Sequence, residues 1–333
     1  MGACAHMGRV LRGAGWAERP FSRGQSREAA GCAERSVRGL ASEHYSIMFI
    51  DFPNLGIHIP YVIRSFSIFG YPIAIYGITM ALGILAGLYL AMWVAKKTGQ
   101  NPDDYMNIAL LGIVLGLLCA RTYYVVFSWS YYSAHPAEIL DFRGGGLALY
   151  GSLIGAVLAV LIYCRKKQLK VPLVMDTACL GMVTGQIIGR WGNFFNREAF
   201  GEYTDNLLAM RLPLEAVRAD EVTELMKAHE QVIEGTACIQ VHPTFLYESL
   251  WNLGVLLVLL FITFRKKKFD GEVFLGYLLL YGIGRFWIEG LRTDQLRFWG
   301  TTVAVSQVLA AILAAGSAVL LVYLHARQKK ADR

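Results

Sequence analysis

The sequence predicts an all-α polytopic membrane protein: seven transmembrane helices, N-terminus outside and C-terminus inside, with a small external domain between helices four and five. Three observations carry that prediction. Residues are 55% hydrophobic and only 17% charged, against about 25% charged in a soluble domain. Apolar stretches near 73–95, 107–127, 146–164, 171–190, 244–264, 271–290 and 302–324 each reach the ~20 residues that cross a bilayer. The cations collect in alternate loops, and short cation-rich loops face the inner side.

The loops fix the orientation. Lys96 and Lys97 follow the first stretch, and Arg165, Lys166, Lys167 and Lys170 follow the third. Arg265, Lys266, Lys267 and Lys268 follow the fifth, and Arg327, Lys329, Lys330 and Arg333 the seventh. The opposite short loops hold only Arg143 in one and Arg292 and Arg297 in another. Topology therefore accounts for the net charge of +7, and no nucleic-acid partner is expected. The six cysteines, Cys4, Cys32, Cys119, Cys164, Cys179 and Cys238, show no CxxC or paired spacing. Neither a disulfide nor a cysteine metal site is expected.

Taken in order, the chain opens with residues 1–47, which carry seven arginines and no lysine. On an external N-terminus these charges conflict with the topology. They read as an extension upstream of a true start at Met48, the alternative being a disordered tail. The membrane domain then runs over 48–325. Tyr76 lies near the outer end of the first span, and Arg121 lies toward the outer end of the second. Tyr150 opens the third span after Gly144, Gly145 and Gly146. The fourth carries one charge, Asp176, until it ends in Gly189-Arg-Trp-Gly-Asn-Phe-Phe-Asn-Arg-Glu-Ala-Phe-Gly201. An arginine among lipid tails costs at least ~2.5 kcal/mol, so Arg190 implies a use. Residues 197–241 form the external insertion, with helical periodicity and acidic bias over 213–227. His242, Tyr247 and Glu248 begin the fifth span, Arg285 and Glu289 end the sixth, and 326–333 form a basic inner tail.

These polar residues converge on one depth, the outer interface. Each also has a structural reading. Arg285 and Glu289 stand four apart on one helix face, as an ion pair would. Arg121 can snorkel to headgroups, the tyrosines can belong to an aromatic belt, and His242 can cap the fifth span. Asn193 and Asn196 can satisfy backbone groups at a helix end. Gly181, Gly185 and Gly189 fit a helix-packing face. Taken separately, these readings need independent reasons for a shared depth. A site with several arginines at the interface suits an anionic lipid headgroup, because guanidinium forks match phosphate oxygens. No Ser-His-Asp spacing, HExxH, phosphate-binding glycine loop or carboxylate metal cluster is present. The chemistry is expected to work by positioning and charge, with no cofactor or metal.

At these residues the chain resembles the bacterial prolipoprotein diacylglyceryl transferases. The run 189–201 fits a family-like pattern G-R-x-G-N-F-x-N-x-E-x-x-G at every fixed position. Three further blocks agree: Gly144 to Gly155, His242 to Glu248, and Gly284 to Arg292. The resemblance covers roughly 48–325. It implies transfer of the diacylglyceryl group of phosphatidylglycerol to the lipobox cysteine thiol of a prolipoprotein, the first step of lipoprotein maturation. A thioether forms and glycerol phosphate leaves. The implied partners are phosphatidylglycerol, prolipoprotein signal peptides and membrane lipids. The implied location is the bacterial inner membrane, with the site facing the periplasmic side. Arg190, Arg285 and Tyr150 are the implied catalytic residues. Tyr76, Arg121, Asn193, Asn196, Glu198, Gly201, His242 and Glu289 are the implied substrate-binding ones. One departure stands out. Many members carry a histidine, assigned as a base, where this chain has Tyr150. A phenol is a poor base at neutral pH unless a neighbouring cation favours phenolate. His242 is then a second candidate. The rival reading is a transporter or flippase of an anionic lipid or solute, whose site belongs near the midplane.

Overall fold

The computed structural model describes residues 49–141, 145–297 and 303–331. The extension expected over 1–47 lies outside them. The helices follow the apolar stretches closely: α1 Ile75–Lys97, α2 Pro102–Phe127, α3 Leu149–Lys167, α4 Val171–Asn196, α5 Thr244–Phe261, α6 Glu272–Glu289 and α7 Val305–Ala331. Six of these, α5 with a π-helical turn through Lys266, are long and apolar enough to cross a membrane. The exception is α6. Its 18 residues include Glu272, Arg285 and Glu289, so charge rather than length sets it apart from the seven-span expectation. α7 continues helically through Ala331, into the stretch expected as the basic inner tail at 326–333.

Small residues let the helices approach. A Cβ at Gly181 would meet the carbonyl oxygen of Gly87 at 2.6 Å, and one at Gly83 would meet that of Gly185 at 3.0 Å. The glycine face read on the fourth span therefore packs on a matching face of α1. Gly151 and Gly155 of α3 close in the same way on Leu115, Cys119 and Ala120 of α2. Gly87→Val should lower stability by about 1–3 kcal/mol, the usual cost of forcing volume into a packed contact. Thermal unfolding in detergent would measure it.

Asp176, the one charge inside the fourth span, caps another helix. Its carboxylate accepts from the backbone N–H of Gly271 at 2.7 Å and of Phe274 at 2.8 Å, and Lys267 Nζ stands 2.9 Å away. These bonds satisfy orphan donors at the start of α6. On the same end, His325 of α7 lies 3.1 Å from Glu272 of α6.

The extramembrane head is an antiparallel sheet in the order β2-β1-β5-β7-β6. It uses β1 Ile50–Phe52, β2 Ile57–Ile59, β5 Met210–Pro213, β6 Gln231–Ile233 and β7 Thr236–Val241. The head is therefore larger than the insertion at 197–241, because residues before the first span supply two strands. A separate hairpin, β3 Ser65–Ile68 and β4 Tyr71–Ala74, leads into α1. The helix expected over 213–227 is a correction. The segment ends a strand at Pro213, makes 3-10 turns at Leu214–Ala216 and Ala219–Glu221, and forms only a five-residue helix, Glu224–Ala228. Its apolar positions do face the core, with Met226 buried and Leu214, Val217 and Val222 packed against it. Pairing of Pro213 with Cys238 commits the segment to the sheet. Buried Glu221 is drawn inward, where its carboxylate accepts from Ala199 N at 3.1 Å.

Candidate active site

The centre of the site is a carboxylate. Glu248, one turn into α5, is 4% exposed. Arg190 near the end of α4 reaches Glu248 Oε2 through Nε. Arg285 of α6 donates from Nη1 to Glu248 Oε1 at 2.7 Å. Arg292, just past α6, holds Nη1 4.0 Å from the same oxygen. Three helix ends thus meet on one side chain. Charge pairing of this kind is what lets ionised groups persist in a poorly solvated setting.

The two arginines of the sequence reading differ in what they have left to offer. Arg285 is held at both terminal nitrogens, by Glu248 and by Glu289 at 2.5 Å. The i,i+4 pair raised as a structural reading is therefore present. Glu289 is itself fixed by Ser306 Oγ, which donates to it at 2.6 Å. Arg190 is bound only through Nε. Among the described residues, its Nη1 and Nη2 have no hydrogen-bond or ion-pair partner. A planar two-nitrogen fork is left open.

The signature run after Arg190 forms a knot. Asn193 and Asn196 both donate to Glu198 Oε1, at 3.2 and 3.1 Å. Arg218 of the head donates to Glu198 Oε2 at 2.9 Å. The turn is tight, with Arg197 and Ala199 both left-handed at φ 52° and 59°, a costly conformation for residues with a Cβ. Arg197 is buried and donates to Val62 O at 2.6 Å. Burial, with the charge of Arg64 beside it, lowers its pKa to about 10. Gly201 is where three backbones cross. Its N–H donates to His242 O at 3.0 Å, it bridges Arg292, and a Cβ would meet Leu291 O at 2.7 Å. Tyr76 at the start of α1 lies over Gly192, where a Cβ would meet its ring at 2.6 Å.

His242 sits just before α5, with Nδ1 3.2 Å from Tyr247 Oη and 3.3 Å from Asn206 Nδ2. Burial lowers its pKa below the ordinary value, against a smaller opposing effect of Glu202. A histidine held neutral contributes stability that is present above its unfolded pKa of about 6.5 and lost as pH falls through the lowered folded value. The unfolding midpoint should therefore fall more steeply below that pH in the native protein than in His242→Gln. Parallel curves would count against this.

Among the described residues, Arg121 and Tyr150 of the sequence reading make no hydrogen bond or ion pair to the Glu248 cluster. Arg121 of α2 is buried and donates to the backbone oxygens of Glu138 at 2.5 Å, Ile139 at 2.9 Å, Gly145 at 2.9 Å and Gly146 at 3.1 Å. It clasps the loop before α3 and does not reach the Glu248 cluster. Tyr150, second residue of α3, is 45% exposed. Among the described residues it has no hydrogen-bond partner. The sequence reading did not select Glu248 or Arg292 as site residues. Their signals were membership of the His242–Glu248 and Gly284–Arg292 blocks and, for Glu248, a place among the polar residues at the outer interface.

Comparison with known proteins places the chain among named relatives. The chain matches the family described as prolipoprotein diacylglyceryl transferase over residues 64–323. It is 44% identical over 266 residues to the phosphatidylglycerol–prolipoprotein diacylglyceryl transferase of Clostridioides difficile, covering 80% of this chain and 96% of that one. The proteins of the same name from Finegoldia magna and Bacillus licheniformis are 39% and 40% identical. They match 75% and 79% of this chain, and 91% and 93% of their own lengths.

Proposed function

This chain belongs to the prolipoprotein diacylglyceryl transferase family, and from that premise we infer the work of the site: it moves the diacylglyceryl group of phosphatidylglycerol to a prolipoprotein. The protein is an integral membrane transferase acting at the first step of lipoprotein maturation. The acceptor is the thiol of a lipobox cysteine. Its sulfur attacks the glyceryl carbon that bears the phosphate oxygen. A C–S bond forms, the C–O bond breaks, and glycerol phosphate departs with the bonding pair. The thiol proton passes to a base.

One observation carries the assignment of roles: the open Nη1–Nη2 fork of Arg190, presented from a buried carboxylate. A fork of this shape donates to two phosphate oxygens at once, and negative charge grows on that phosphate as the C–O bond breaks. Fixed donors aimed at developing charge lower the barrier most. Arg285, held at both ends, braces Glu248 and adds positive potential. Glu198 keeps Asn193 and Asn196 facing the headgroup, and Tyr76 walls the opening. Gly201 and His242 join the head to the helix ends. We place the arginine ends of α4 and α6 on the periplasmic side of the inner membrane, with all seven helices crossing it. The cation-rich loops after α1, α3 and α5 support this orientation.

Incubating the purified protein with phosphatidylglycerol and a lipobox peptide tests the function. The peptide should gain the mass of a diacylglyceryl group with release of glycerol phosphate. Lipid movement across vesicles without peptide modification would favour the transporter reading instead. Tyr150 is proposed to handle the thiol proton from the α2–α3 side. Tyr150→Phe keeps the ring and removes the hydroxyl, so the rate should fall by roughly 10²–10⁴-fold. Tyr150→His should stay active. A fully active Tyr150→Phe would reduce the residue to an aromatic wall and shift attention to His242.

A further inference from the structure

The β3–β4 hairpin stands apart from the five-stranded sheet. Its register opposes Phe66 to Ile73 and Ile68 to Tyr71, and Ser65 to Ala74 and Ser67 to Pro72. Opposed residues share a face, and side chains alternate with a period of two. One face is therefore Phe66, Ile68, Tyr71 and Ile73, and the other is small or polar. Exposure of the apolar face grows toward the tip. Phe66 and Ile73 are half-buried, whereas Ile68 is 44% exposed, Tyr71 76% and Phe69 98%. Phe69 and Gly70 form the turn, both left-handed at φ 50° and 81°, the backbone twist of a tight hairpin.

A two-stranded ribbon is marginal in water, and an aromatic tip exposed to solvent makes it less favourable still. The connection to α1 says what covers it. β4 ends at Ala74 and α1 begins at Ile75, with no residue between them, and α1 is long and apolar enough to cross a membrane. Four strand residues extend only about 13 Å, so the tip stays near the bilayer surface. Aromatic side chains with one polar end favour that layer.

We propose that the β3–β4 hairpin is a membrane-interface anchor, its apolar face and the Phe69–Tyr71 tip seated among the headgroups and upper acyl chains of the leaflet where α1 begins. The partner is a phospholipid surface. The anchor fixes the depth of Tyr76, two residues beyond β4, whose ring packs on Gly192 beside Asn193. The anchor requires α1 to cross the bilayer and holds for either side; the cross-linking below is independent of the transferase reading, and only the second measurement rests on it.

A photoreactive benzophenone amino acid placed at position 69, and separately at position 67 on the polar face, tests it in the full chain. The protein would be reconstituted in vesicles of phosphatidylglycerol and phosphatidylcholine, irradiated, and its peptides weighed. Phospholipid adducts should form several-fold more at 69 than at 67. Equal yields at both positions, no lipid adduct at 69, or cross-links to a second copy of the chain would overturn the proposal. So would loss of the lipid adduct when a lipobox peptide is added, which would assign the face to peptide. As a second measurement, the double variant Phe69→Asp, Tyr71→Asp should slow transfer more in vesicles than in detergent micelles, and Phe69→Trp should not. Equal slowing in both media would also overturn it.

Discussion

Arg190→Lys is expected to slow diacylglyceryl transfer by about 100- to 1000-fold, the usual loss when one donor to a developing oxyanion is removed. Lysine keeps the charge but replaces a planar fork by a single rotating ammonium. Arg190 spends Nε on Glu248 and keeps both terminal nitrogens free, so the fork itself is the functional part. A lysine at this position would either pair with Glu248 or reach the phosphate; it has no geometry for both. The loss should appear in kcat for peptide modification while the protein folds normally. Arg285→Lys is expected to do harm by another route, since its terminal nitrogens are already given to Glu248 and Glu289. An Arg190→Lys protein that turns over within a few-fold of the native rate would remove Arg190 from phosphate binding.

Glu248→Ala is expected to cost on the order of 3–5 kcal/mol of stability, because removing one member of a buried ion-pair cluster strands the others. Arg190 and Arg285 would lose their shared acceptor, and Arg292 would lose the carboxylate oxygen 4.0 Å from its Nη1. Two guanidinium groups would then face each other without a bridging negative charge. Glu248→Gln keeps one acceptor and should fall between alanine and the native protein. The comparison needs only thermal unfolding in detergent. Native-like stability of Glu248→Ala would mean that water reaches the cluster and screens it.

The parts legible in the sequence were those with a local signature. Seven apolar runs became seven helices, because a span must satisfy its own backbone and so carries its evidence within ~20 residues. Arg190, Asn193 and Glu198 were conspicuous as polar groups ending an apolar run. Gly181 and Gly185 were legible by spacing. Glu248 escaped selection because its meaning lies in partners 58 and 37 residues away in the chain, Arg190 and Arg285; no spacing announces that. Arg121 looked like a site residue because it shares the depth of the others, yet depth says nothing about azimuth, and its donors face the loop before α3. The strands from Ile50 to Ala74 run only three or four residues each, too short for an alternation to register. The period over 213–227 marked inward-facing positions, but 3-10 turns bury Ala216 and Glu221 as well as the short helix buries Met226.

The charges of α6 bear on how the chain is built into the membrane. Ionised residues raise the cost of passing a helix from the translocation machinery into lipid, by about 2.5–3.5 kcal/mol each at mid-span and less toward the ends. α6 brings Glu272, Arg285 and Glu289; Arg285 and Glu289 pair with each other, and their further partners lie on neighbouring helices. Arg285 needs Glu248 of α5, already synthesised, but Ser306 and His325, which engage Glu289 and Glu272, belong to α7. With all seven helices in the bilayer, as proposed, α6 is the helix that lipid accepts least readily alone, and the last helix completes its partners at both ends. Assembly of the protein closes on α7 as a clasp, and a chain that stops before Ser306 leaves Glu289 and Glu272 without the partners that α7 supplies.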